Sequence, residues 1–220
     1  MLKFTFPEEK DRDILKDICA HTHCGVQAFT YINLTDDISD GSFFCGKDEK
    51  GEIKSLVFND SDKYIKVFGE EFSPLFTFSE DCIMEYPGKD VSPSEAVMIN
   101  GKKIMDFYLL ISESSKLSFD NEKRYVYRTR TINNGYGAVF AIYEDGKIVS
   151  AASVSAINEK YALISDVYTK PCCRKKGFAS ECIRACIKYC IDKNKTPFLC
   201  CKDSMCDYYR KLGFTYYGKM

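Results

Sequence analysis

Tryptophan is absent from the 220 residues, and histidine occurs only at 21 and 23. No Cys-x-x-Cys pair occurs among the twelve cysteines, so paired-cysteine zinc modules and dithiol redox motifs have no footing. His21-Thr22-His23-Cys24 is the nearest thing to a ligand cluster, but it lacks a distant second ligand set, and no metal is expected. Charge of one sign is also missing. Thirty-one Lys and Arg oppose 32 Asp and Glu, for a net charge of −1. That balance argues against a dedicated nucleic-acid binder, which carries a basic domain or stripe. Nowhere do 18 apolar residues run together, so no membrane span is expected. The opening Met1-Leu2-Lys3-Phe4-Thr5-Phe6-Pro7 has no apolar core of the secretory kind, and a cytoplasmic setting with reduced thiols follows as the expectation.

What remains is an ordinary globular composition, 45% hydrophobic and 29% charged. Residues 121–134 fit a helix ended by Gly135. Tyr136–Tyr143, Ile148–Ile157 and Tyr161–Thr169 are β-rich and punctuated by Glu144-Asp145-Gly146-Lys147 and Asn158-Glu159-Lys160, which predicts a meander of three strands. A helix follows from Phe178 to Asp192. Cys182, Cys186 and Cys190 recur every four residues opposite Glu181, Arg184, Lys188 and Asp192, and so read as small core residues facing a sheet. A short strand at 198–201, a helix capped by Asp203 and running to Leu212, and a last strand at 214–217 complete this half. Upstream, 8–20 reads as a helix, 19–40 as a loop, and 42–46, 53–59 and 63–68 as a second meander. Residues 82–86 form a further strand candidate and 103–112 a helix. Pro87-Gly88-Lys89-Asp90 and Ser92-Pro93 mark the boundary, dividing the chain into 1–92 and 93–220.

Between the third strand and its helix stands Pro171-Cys172-Cys173-Arg174-Lys175-Lys176-Gly177-Phe178-Ala179-Ser180. Strand, basic glycine turn, helix is an arrangement that binds anions. The first N–H groups of a helix lack intrahelical partners and sit at the positive end of its dipole. Gly177 lets backbone approach a ligand, Ala179 adds no bulk, and Arg174, Lys175 and Lys176 supply full charges. A phosphate-bearing molecule is the expected guest. Cys172 and Cys173 flank this turn, where nearby cations should favour the thiolate.

About thirty residues on comes Tyr208-Tyr209-Arg210-Lys211-Leu212-Gly213-Phe214. Together the two stretches resemble the GNAT superfamily of acyl-CoA-dependent N-acetyltransferases. Arg174–Ala179 is similar to its pyrophosphate loop, and Tyr209–Phe214 to the end of its last helix. The resemblance implies an α/β fold, a mixed, mostly antiparallel sheet flanked by helices, with residues 1–92 as a related but degenerate α+β half that lacks the loop. It implies acetyl-CoA as acyl donor, held by Arg174, Lys175, Lys176, Gly177, Phe178, Ala179 and Ser180 and by the strand end Val167, Tyr168 and Thr169. Ser204 stands where the family often has Asn, and Lys175 where it usually has Gly. Tyr209 matches the family's proton donor to the departing thiolate, and Asp166 is the acidic candidate on the preceding strand for accepting the amine's proton. The implied reaction is acetyl transfer to a primary amine, of a small molecule or a peptide, by direct attack. The alternative is an acyl-CoA-binding regulatory module without turnover. A homodimer is compatible with relatives of this type. Substrate choice is expected in the stretch 19–40 and the meander after it.

Overall fold

The computed structural model describes residues 2–60, 63–69, 78, 80–114 and 121–220. Its centre is a strand with almost no polar face. β8 (Lys147–Ile157) is buried at nine of its eleven positions, a pattern that requires cover on both sides of the sheet. β7 (Ala138–Glu144) and β9 (Tyr161–Thr169) flank it antiparallel. The β7–β8 turn places Asp145 and Gly146 at φ 50° and 73°, the left-handed pair that a tight Asp-Gly hairpin demands. β6 (Val97–Ile99) adds to the outside of β7, and β10 (Thr196–Cys201) runs parallel to β9.

β5 (Cys82–Glu85) lies antiparallel to β10, and β11 (Thr215–Lys219) lies outside β5. The seven-stranded order is therefore β11-β5-β10-β9-β8-β7-β6. β5 precedes residue 92, yet it pairs between two strands of the C-terminal region. Helices α5 (Phe178–Asp192) and α6 (Cys206–Arg210) cover one face. The cysteine stripe behaves as expected, with Cys182, Cys186 and Cys190 all fully buried against the sheet. On the opposite face lie α3 (Lys103–Ser114) and α4 (Asn121–Asn133).

The N-terminal region has its own antiparallel sheet, ordered β1 (Lys3–Thr5), β2 (Phe43–Lys47), β3 (Ile53–Asp60) and β4 (Lys63–Phe68). Helices α1 (Arg12–Cys19) and α2 (Val26–Leu34) pack on it through Leu15, Cys19, Phe29 and Ile32. Strand, two helices, three-stranded meander is also the element order from β6 to β9.

α2 corrects the expectation of a loop over 19–40. Its sequence, Val-Gln-Ala-Phe-Thr-Tyr-Ile-Asn-Leu, is apolar nearly all round, so no amphipathic period announces it. The reason is its position between two layers. Val26 packs on Ala156, Leu163 and Phe198 of the large sheet while Phe29 and Ile32 face the small one. Thr30, fully buried, locks it there: its hydroxyl donates to the Ile157 carbonyl (3.1 Å) and accepts from the Ile157 N–H (3.0 Å). Asn158 adds bonds to the carbonyls of Cys19 (2.8 Å) and Thr22 (2.9 Å). These fully paired buried polar groups fix how the two sheets sit on one another.

Asp203 also differs from its expected role. It opens a single 3-10 turn, Asp203–Met205, makes no capping bond to the helix, and instead accepts from the Cys82 thiol. Among the described residues no helix is long and apolar enough to cross a membrane.

Candidate active site

Two strands part at the centre of the site. β10 pairs with β9 only through Thr196–Phe198 against Tyr161–Leu163, after which β9 runs on to Thr169 without it. On its other edge β9 stays paired with β8, but the register slips between Ala151↔Tyr168 and Ser153↔Ser165. Asp166 sits in that bulge at φ 50°, a left-handed conformation that costs a non-glycine residue about 1–2 kcal/mol. The fork between β9 and β10 is where Val167, Tyr168 and Thr169 lie, all half-buried.

The basic turn follows directly. Pro171–Cys173 form one 3-10 turn, Lys175 adopts φ 63° and Gly177 φ 86°, and α5 begins at Phe178. A Cβ placed on Gly177 would meet none of the described residues within 4 Å, so the glycine is required by its backbone angle and opens onto free space among them. Among the described residues no side chain caps the helix, which leaves the first-turn N–H groups of Phe178, Ala179 and Ser180 directed into that space. Arg174 Nε holds the Thr169 carbonyl (3.2 Å), tying loop to strand end. Lys176 pairs with Glu144 (3.2 Å) and lies over the Phe178 ring. Ser180 Oγ meets the Tyr208 hydroxyl at 3.2 Å, so Tyr208 links the helix start to α6. The cysteines beside the turn part company: Cys172 is exposed, whereas Cys173 is buried. Contrary to the expectation of an acidified thiol, burial, helped by Cys172 and Glu144, pushes Cys173 up.

Tyr209 comes from α6 and is 8% exposed, its ring edge-on to Tyr208 and Phe214. Burial, then Tyr208 and Cys201, push its phenol above the ordinary range, so it keeps its proton at neutral pH. Among the described residues its hydroxyl has no hydrogen bond to another side chain. Ser204 is exposed on the 3-10 turn before α6.

On the opposite side of the fork a cleft of about 740 Å³ opens between the two sheets. Its floor is Leu163–Asp166 of β9 with Cys200 of β10, and its walls come from α2, β3, β4, α3 and α4. Tyrosines 31, 64, 108 and 127 line it together with Asp40, Asp166, Arg124 and Arg128. Asp166 does not stand alone there. Its Oδ2 accepts from Arg128 (2.7 Å) and from Ser153 Oγ (2.8 Å), and Arg128 Nε reaches the Tyr108 hydroxyl at 3.4 Å. Arg128 is buried, and among the described residues its Nη1 has no hydrogen-bond partner. The sequence reading singled out Asp166, which lines the cleft, but not its partners Arg128 and Ser153 or the tyrosines. No sequence signal marks the arginine, which is one of three on a mostly polar helix.

Residues 104–214 match the model of the Acetyltransferase (GNAT) family. No curated protein matches the chain. Among solved structures, an acetyltransferase from the GNAT family of Colwellia psychrerythraea superposes with a TM-score of 0.65 at 11% identity, covering 99% of this chain and 97% of that one. A GCN5-related N-acetyltransferase-like protein from Streptococcus suis gives 0.56 at 13% identity, with 96% of each chain covered. A GNAT-family chain from Novosphingobium aromaticivorans gives 0.54 at 20% identity over 64% of this chain, which spans 62% of that longer one. At these identities the likeness is one of fold.

Proposed function

Because this chain belongs to the GNAT acetyltransferase family, matched over residues 104–214, we propose that it transfers the acetyl group of acetyl-CoA to a primary amine held in the cleft between its two sheets. The observation that carries the reading is the coincidence of three features around β9 and the turn that follows it. An uncapped helix start with a left-handed glycine faces open space, the β9–β10 fork adjoins it, and the cleft floor is made by the same two strands.

In this reading the pyrophosphate of CoA lies on the N–H groups of Phe178, Ala179 and Ser180, with Arg174, Lys175 and Lys176 around it. The pantetheine arm enters the fork beside Val167, Tyr168 and Thr169, and Ser204 lies at the rim. The thioester carbon then faces the cleft. The amine lone pair attacks it, the carbonyl re-forms, and the carbon–sulfur bond breaks. Tyr209 gives its proton to the departing thiolate, and Asp166 takes the amine's proton directly or through water. One oxygen of Asp166 is committed to Arg128 and Ser153, so the proton goes to Oδ1. A volume of about 740 Å³ suits a small amine or the end of a peptide side chain.

The test is thermal unfolding with and without acetyl-CoA. At 100 times its dissociation constant a ligand adds about 2.7 kcal/mol. A clear upward shift, lost in Gly177→Glu, is the expected result and leads to an amine screen with thiol detection. No shift at millimolar acetyl-CoA overturns the donor assignment. A shift with no turnover on any amine supports instead a binding module.

A further inference from the structure

Three metal-ligating side chains that the acetyl-transfer chemistry does not use, Cys82, Asp203 and Cys206, converge beneath α6, with the Cys201 thiol next to Cys206. Cys82 on β5 and Cys201 on β10 are direct partners in the antiparallel ladder, so their side chains leave the same face of the sheet. That face is covered by α6, whose first residue is Cys206. Cys201 Sγ and Cys206 Sγ are 3.9 Å apart. Asp203, on the turn between them, brings Oδ1 to 2.7 Å from Cys82 Sγ. The ligand atoms of Cys82, Asp203 and Cys206 all lie within 4.8 Å of one another.

From this convergence we propose that Cys82, Asp203 and Cys206, with Cys201 as fourth donor, bind a thiophilic divalent cation of the zinc class. Zinc–sulfur bonds of about 2.3 Å in a tetrahedron put neighbouring sulfurs about 3.8 Å apart, close to the 3.9 Å between Cys201 and Cys206. A sulfur and a carboxylate oxygen on the same ion stand roughly 3.5 Å apart, so ligation moves Asp203 outward from Cys82. Asp203 is 75% exposed and has room to turn, while the three cysteines are 1%, 8% and 5% exposed. The donor set is thus a buried thiol floor under one mobile carboxylate, which gives the ion a path in. Binding releases the thiol protons to solvent, and Lys202 and Lys219 lie beside the extra negative charge. A scan for Cys-x-x-Cys misses the site, because the spacing is Cys201-x-Asp203-x-x-Cys206 with Cys82 supplied from far upstream.

Such an ion ties α6, one turn before Tyr209, to two strands from distant parts of the chain. Its role is structural, holding the helix that carries the phenol.

The experiment is metal analysis of the full chain, purified under reducing conditions with zinc sulfate and then desalted. The expected result is one zinc per chain, with cobalt(II) substitution giving the intense visible bands of tetrahedral thiolate ligation. Cys82→Ser and Cys206→Ser should lose the ion, and the control Cys172→Ser should keep it. Asp203→Asn, at an exposed position that does not threaten folding, should weaken zinc at least tenfold in chelator competition. The proposal is overturned by wild-type protein that holds neither metal, or by zinc retained in both Cys82→Ser and Cys206→Ser. A Cys201–Cys206 disulfide in protein alkylated before reduction overturns it as well, in favour of a redox pair.

Discussion

Asp166 has two possible reasons to be where it is, and they separate under substitution. Asp166→Asn leaves the Arg128 guanidinium, 7% exposed, without its counter-charge, and among the described residues Nη1 of that group has no partner either. Removing one member of a buried pair costs about 3–5 kcal/mol. Asp166 is 22% exposed, which places the cost at the lower end, about 3 kcal/mol. For a chain of this length that lowers the melting temperature by roughly 6–12 °C. Arg128→Met/Asp166→Asn removes the stranded charge and should recover most of the loss. Turnover should behave differently. A positioned base contributes about 10²–10⁴-fold, so Asp166→Asn in the Arg128→Met background should still slow kcat by that order. Differential scanning fluorimetry and steady-state assays of the four proteins read both quantities. A melt for Asp166→Asn within about 2 °C of wild type would refute the ion-pair account. Full turnover in the double variant, relative to Arg128→Met, would refute the proton-transfer role.

Tyr209→Phe should lower kcat by about 10²-fold or more and leave the acetyl-CoA thermal shift intact; loss of the shift would make Tyr209 a binding residue instead. Gly177→Ala has space for its methyl but forces φ 86° on an alanine, so it should lose about 1–2 kcal/mol of stability, while Gly177→Asn, which tolerates that region, should lose less in urea titrations. Burial, with Lys160 nearby, holds the His23 imidazole down at about 4, against an ordinary value of 6.5. The folded state therefore declines a proton that the unfolded chain accepts, so stability is complete above pH 6.5 and falls by up to about 3 kcal/mol as pH drops towards 4. His23→Phe should flatten that slope. Thr30→Val strands the Ile157 N–H and carbonyl and should cost about 1–3 kcal/mol in the same titrations.

The meander, α5 and the loop were legible because local chemistry sets them. Asp145-Gly146 can only turn, the cysteine stripe has a helical period, and Gly177 follows three cationic residues after a β-branched run. β9 and α5 fall at the predicted residues, Tyr161–Thr169 and Phe178–Asp192. What stayed hidden depends on partners far away in the chain. α2 lacks a polar face because it has a sheet on each side, so its burial pattern is a property of the assembly. Arg128 reads as one more surface charge until β9 bulges and turns Asp166 towards it. The fork is silent because it consists of backbone pairing that stops, and stopping has no residue code. Asp203 looked like a helix cap because Asp before a helix commonly is one; Cys82, some 120 positions earlier, competes for its carboxylate.

The place of β5 bears on how this chain is made. Residue Glu85 pairs with both Phe198 and Thr215, so the last two strands close onto a segment synthesised long before them. Contacts at such separation are slow to form, because a long loop must be closed before any bond rewards it. A fragment beginning at residue 93 would carry a slot between β10 and β11, with unpaired edges on both sides. Such edges recruit strands from other chains. Added in trans, a peptide spanning β5 is the natural occupant of that slot, and split-chain complementation becomes a direct route to following the final step of folding.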